Sequence, residues 1–164
     1  LPFKFAVVMS QLEALLGMDT IVARSEEAVI QQYGLETIPE MAKKRIPVRL
    51  RRAQKWVEMF GSKRDRIQVP DEIPKQIMST LTPEDLTFLR EILSLLEKGP
   101  LKDEEIQTGV FETANELDFK IKRAFTVLYR VLISSKSGPR LGPFINMLGR
   151  EWVIQRIEKA LESK

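Results

Sequence analysis

The chain has 164 residues, 43% hydrophobic and 30% charged, a composition that folds rather than stays disordered and is long enough to bury a core in one domain or two small ones. Cysteine and histidine are both absent, which excludes disulfides, thiolate nucleophiles, Ser-His-Asp triads and the usual zinc sites. Net charge is +3, but ten basic residues face two acidic ones from Lys43 to Arg66, twelve acidic face four basic from Asp71 to Asp118, and seven basic face none from Lys120 to Arg150.

Two basic blocks around an acidic one suit a molecule with one binding face for an anionic partner. They would equally suit blocks that pair with each other across the fold. No apolar run approaches the ~20 residues of a membrane span. The sequence opens on Leu1 without a secretory n-region or h-region, so it is expected to begin part-way along a longer chain.

Helical spacing runs through the whole sequence, with no strand signal, repeat or low-complexity segment, and the fold class read from it is all-α in two small helical subdomains. Pro2 suits the first turn of a helix to about Leu16, closed by Gly17, with Phe5, Val8, Leu12 and Leu15 or Leu16 on its apolar face. Asp19 or Thr20 can cap a second helix to Tyr33, with Gly34 beyond it and Ser25 as a point where it could split. Thr37-x-x-Glu40 has the capping-box pattern, and Pro47 is expected to break or kink the helix that follows. From Pro47 to Phe60, Val48, Leu50, Trp56, Val57 and Phe60 alternate with Arg49, Arg51, Arg52 and Lys55. Trp56 reads as a core anchor or as a stacking platform. Four cations within seven residues repel one another on a helix, and phosphate binding accounts for them better than propensity does.

The Pro-containing stretch from Ser62 to Ile77 lacks helical period and reads as a connection. The subdomains are therefore placed at 1–66 and 81–164, joined by 67–80. Thr82-Pro83-Glu84-Asp85 is a start signal made of an N-cap, Pro at the first helical position and acids facing the helix dipole. Asp103 and Asp118 are expected to cap the next two helices. The first turns Ile106, Val110, Phe111, Ala114 and Leu117 inward; its carboxylates read as a solvated face rather than as acid–base chemistry. The second turns Ile121, Ala124, Phe125, Leu128, Val131 and Leu132 inward and leaves Lys122, Arg123, Tyr129 and Arg130 off that stripe.

Between this helix and the last lies Ser134 to Pro143, with two Gly-Pro-type breaks. Gly138 can take positive φ, Pro139 fixes the next φ, and Pro143 is expected as the first residue of a helix interrupted at Gly149. By itself this is an ordinary helix–helix corner, or a stiff basic loop whose Lys136 and Arg140 suit an anionic visitor.

The run SGPRLGPF, with FTVLYRVL before it and LGRE-xx-I-x-R-I after it, resembles the C-terminal end of class I lysyl-tRNA synthetase. The glutamyl enzyme is similar here but less close. The resemblance extends to RLRRAQKWVEMFG and to the opening LPFKFAVVMSQL, and so covers nearly the whole chain. It implies an anticodon-binding helix cage, the tRNA-selecting portion of a lysine–tRNA ligase. The corresponding region of a glutamyl or glutaminyl enzyme is an alternative, and a helical protein–protein adaptor with a basic face is another.

Carried over on that resemblance, Gly138, Pro139, Arg140 and Leu141 match a loop that touches anticodon bases. Tyr129 falls where the glutamyl enzymes often have an arginine, a departure because a phenol offers fewer hydrogen bonds. Lys44, Arg45, Arg49, Arg52, Arg130 and Lys136 are the expected phosphate contacts, which position RNA without reading it. The implied partners are the anticodon loop of a lysine-accepting tRNA and the catalytic domain of the same parent chain, in the cytoplasm and with no membrane. The class I His-x-Gly-His signature cannot occur without histidine, and Ser134-Ser135-Lys136-Ser137 echoes the family's Lys-Met-Ser-Lys-Ser loop only by coincidence. No catalytic or metal-ligating residue is therefore expected in this fragment. It needs no cofactor of its own, and ATP, with zinc as a further candidate, belongs to the parent's catalytic part.

Overall fold

The helical periodicity is realised throughout: the computed structural model describes residues 1–162, and these contain ten helices and no strand. They form two compact units, Leu1–Gln68 and Val69–Lys164.

In the first unit, α1 (Phe3–Ser10) and α3 (Met18–Tyr33) pack against α4 (Glu40–Phe60), and α2 (Glu13–Leu16) packs on α3. The expected single opening helix is broken at Gln11 and Leu12. Its buried face is Ala6, Val7 and Met9 with Leu12, while Phe5 and Val8 are only half-buried. The α3 helix does not split at Ser25, because that hydroxyl is buried and donates to the Ile21 carbonyl at 2.6 Å. Gly34 closes α3 at φ 60°, and the Leu35 N–H returns to the Ile30 carbonyl.

The long helix α4 differs from expectation at both marked positions. No side chain caps it, and Pro39 stands at the N-cap in place of a Thr37–Glu40 box. It also continues through Pro47 without a break. The missing N–H there is outweighed by packing, since Ile46, Leu50, Ala53 and Val57 are all buried along one face. At its C-terminal end, Arg66 donates to the carbonyls of Glu58 and Gly61, satisfying acceptors the helix leaves open. The Gln11 amide holds the same loop by donating to the Asp65 carbonyl and accepting from the Ile67 N–H, both at 2.8 Å.

The second unit is built from α5 (Lys75–Ser79), α6 (Pro83–Glu97), α7 (Asp103–Glu116), α8 (Ile121–Ile133), α9 (Leu141–Leu148) and α10 (Arg150–Glu162). Its core joins Phe88, Leu89, Ile92 and Leu96 to Leu128, Leu132, Phe144, Leu148, Val153 and Ile157. The start signal at Thr82 forms as a full capping box. Asp85 completes it with the Thr82 N–H at 2.9 Å and is also hydrogen-bonded and ion-paired to Arg123.

The other expected caps do not form. Asp103 is the first residue of α7 behind Lys102, whose N–H donates to the Glu105 carboxylate. Asp118 terminates α7 instead of starting α8. Its φ is 50°, and the Phe119 N–H closes onto the Ala114 carbonyl at 2.7 Å. Phe111 and Leu117 are exposed rather than inward. The segment at Asp71 is fastened by Arg156, a side chain only 3% exposed, which donates to the Val131 and Asp71 carbonyls.

Candidate nucleic-acid interface

The corner between α8 and α9 begins where Ser134 adopts the left-handed conformation, φ 54°, and sends its N–H to the Arg130 carbonyl. This residue supplies the reversal expected of Gly138, whose φ is not positive. Gly138 is required for space instead. A Cβ there would lie 2.8 Å from the Tyr129 ring and 2.9 Å from Ile133 Cδ1, closer than side-chain carbons approach.

Tyr129 is only 7% exposed, and its hydroxyl donates to the Pro139 carbonyl. Burial pushes its phenol above the ordinary tyrosine range. Leu141 is fully buried. Both residues were expected to touch bases, and both turn inward here. The physical reason is that α8 buries Val127, Leu128, Tyr129, Val131, Leu132 and Ile133, leaving little of its surface for solvent, and α9 buries Leu141 together with Phe144, Ile145 and Leu148. They brace the corner from inside.

The corner's outer surface consists of Lys136, Ser137, Gly138 and Arg140, all exposed. The start of α7 holds it from the side. Arg140 Nη2 donates to Glu104 Oε2 at 2.7 Å, the Gly142 N–H to Gln107 Oε1 at 3.1 Å, and Asn146 Nδ2 to Asp103 Oδ1 at 2.7 Å. A Cβ on Gly142 would lie 2.1 Å from the Asp103 carbonyl oxygen, so only glycine permits this approach. Arg130 is half-buried and reaches Thr80 Oγ1 at 3.5 Å. Lys136 has no ion-pair partner among the described residues.

In the first unit, Arg45, Val48, Arg49, Arg52 and Trp56 follow one another at helical spacing on α4. With Phe3 and Ala53 they line an open groove of about 610 Å³. Trp56 is half-buried and meets Phe3 edge-on, centroids 5.2 Å apart, so it both packs and presents ring surface to the groove. No acid among the described residues lies within ion-pair distance of Lys44, Arg45, Arg49 or Arg52. Pairing between blocks thus occurs in the second unit, through Arg123–Asp85 and Arg140–Glu104, but leaves the α4 arginines unpaired. Lys44 is exposed but does not line the groove.

The groove brings together Arg45, Arg49 and Arg52; the corner brings together Lys136, Gly138, Pro139 and Arg140. Sequence reasoning missed Phe3, Val48, Glu104 and Gln107. Val48 could have been found from its spacing three residues after Arg45 and four before Arg52. The other three are placed by tertiary packing.

The family model described as "Anticodon binding domain" matches residues 26–161. The chain is 32% identical over 160 residues to the lysine–tRNA ligase of Archaeoglobus fulgidus, covering 98% of this chain and 30% of that protein. It is 31% identical over 162 residues to the Thermococcus kodakarensis lysine–tRNA ligase, 95% of this chain and 28% of that one. For the Haloarcula marismortui lysine–tRNA ligase, identity is 30% over 160 residues, 97% of this chain and 27% of that protein. The chain spans less than a third of the length of these relatives.

Proposed function

We propose that this chain, which belongs to the anticodon-binding domain family, selects tRNA for a class I lysine–tRNA ligase by holding the anticodon loop. The observation that carries this reading is the family match, which extends into both units. The geometry is compatible with it. Unpaired loop nucleotides can be splayed and hydrogen-bonded on their edges, and the corner exposes a stiffened backbone at Gly138 beside the donors of Arg140, with half-buried Pro139 held by the Tyr129 hydroxyl. Arg45, Arg49 and Arg52 offer unpaired positive charge over an aromatic floor, and Lys44, Arg130 and Lys136 add phosphate contacts. Tyr129 and Leu141 contribute by fixing the corner's shape.

In the parent protein, ATP-dependent activation of lysine would fall to a catalytic part, which is the other proposed partner of this chain, and the setting would be the cytoplasm. The glutamyl and glutaminyl alternatives are not favoured, since the relatives named above are lysine–tRNA ligases.

The test compares an anticodon stem-loop carrying a lysine anticodon with the same stem carrying a scrambled loop. Arg140→Ala is expected to weaken the cognate RNA by about tenfold and the scrambled one by much less, a base-contact effect on the order of 1–3 kcal/mol. Arg52→Ala should weaken both alike and flatten the salt dependence by about 0.7 in the log–log slope. Equal losses for Arg140→Ala on the two RNAs would reduce it to a phosphate contact. Absence of competition by unmodified tRNA would remove the reading altogether.

A further inference from the structure

Among the described residues, Arg140 of the α8–α9 corner is held by a carboxylate, Glu104 of the first turn of α7. The pair is open to water, with side chains 57% and 71% exposed, and such pairs add little to stability. Its neighbours on α7 already secure the corner. Gln107 holds the Gly142 N–H and Asp103 holds Asn146. The bond from Arg140 to Glu104 therefore fastens nothing that is otherwise loose. What it fixes is the guanidinium, and the negative charge beside it.

A phosphate and a nucleobase meet that arrangement differently. A phosphate approaching Arg140 brings its charge against the Glu104 carboxylate, and like charges at this separation repel. A base edge carries no net charge. Glu104 occupies one of the guanidinium's five N–H donors, leaving the others for a base acceptor, while its remaining oxygen can accept from a neighbouring base N–H. Lys136 in the same corner has no such partner among the described residues and is free to take phosphate. Taking the tRNA-binding reading as its basis, we propose that Glu104 is a specificity-determining residue: it bars phosphate from Arg140 and presents an acceptor beside its donors, so that the pair takes an unpaired nucleobase edge.

The test uses the 164-residue chain and the same two stem-loops, titrated over a salt series. Glu104→Ala is expected to tighten binding of the scrambled loop by about fivefold and steepen its salt dependence by about 0.7 in slope, one added phosphate contact. The preference for the cognate loop should fall accordingly. Glu104→Gln keeps an acceptor next to Arg140 but not the charge, and is expected to retain cognate affinity while admitting the scrambled loop. In an Arg140→Ala background, Glu104→Ala should alter neither preference nor slope. If it alters them as much as in the wild type, Glu104 acts through general charge and the proposal is overturned. A preference abolished by Arg140→Ala yet untouched by Glu104→Ala would overturn it too, leaving the tRNA reading intact. Equal binding of both loops by the wild-type chain would sink that reading and this inference with it.

Discussion

Asp85 is 1% exposed, and its carboxylate serves two masters: the Thr82 N–H that begins α6, and the Arg123 guanidinium of α8. Burial alone would raise its pKa, but the hydrogen bond from Arg123 and that from the Thr82 N–H outweigh it and hold the carboxyl below the ordinary aspartate range. A carboxyl depressed in the folded state stabilises the fold above its unfolded pKa, near 3.9, and loses that contribution as pH falls through the folded value. Asp85→Asn leaves Arg123 without its counter-charge and is expected to cost about 2–3 kcal/mol at pH 7. Urea unfolding should show the deficit shrinking toward pH 2, and a deficit independent of pH would contradict the ion pair's part in it. The capping role of Asp85 is legible from Thr-Pro-Glu-Asp, since its partners are adjacent in sequence. Its bond to Arg123 spans 38 residues and leaves no local mark. Tyr129 is a similar case, because a stripe drawn at helical spacing cannot anticipate a helix buried on most of its circumference.

The corner depends on one close approach between elements, the start of α9 against the start of α7. Gly142→Ala would bring a methyl group to 2.1 Å from the Asp103 carbonyl oxygen, and a backbone atom cannot swing aside as a side chain can. The substitution is expected to lower stability by about 2–3 kcal/mol. It should also reduce discrimination between cognate and scrambled loops, since Glu104 and Gln107 would be displaced from Arg140 and Gly142. Thermal unfolding together with the two-RNA assay checks both outcomes. Element positions are legible from apolar spacing, and the closures at Gly17, Gly34 and Gly149 from the preference of glycine for positive φ. Sequence does not reveal that Ser134 and Asp118 take that conformation at two other helix ends, or that Pro47 is absorbed within α4. At Ser134 and Pro47 the buried apolar residues of the same helix override a local preference, and at Asp118 the stacking of Phe119 on Phe88 does.

At the level of the whole chain, each unit has its own buried core. A piece beginning at Val69 retains the capped α6, the α7–α9 contact and the Arg156 tether at Asp71, and is large enough to bury a core independently. It is expected to unfold cooperatively by heat with helical circular dichroism intact beforehand. A non-cooperative loss of signal would show that its core is incomplete. The sorting of charge along the sequence foretells a cationic surface, but not which cations remain unpaired, since that depends on where α6 and α7 set their acids.

The unpaired row Arg45, Arg49 and Arg52 along α4 has a thermodynamic corollary. A nucleic acid travels with a sheath of small cations, and every phosphate that meets one of these guanidinium groups lets some of that sheath escape into bulk solution. The resulting gain is one of mixing entropy. On the proposed tRNA-binding reading, grip along this helix is expected to be governed as much by the ionic composition of the surroundings as by the side chains, tightening on dilution with no new contact formed.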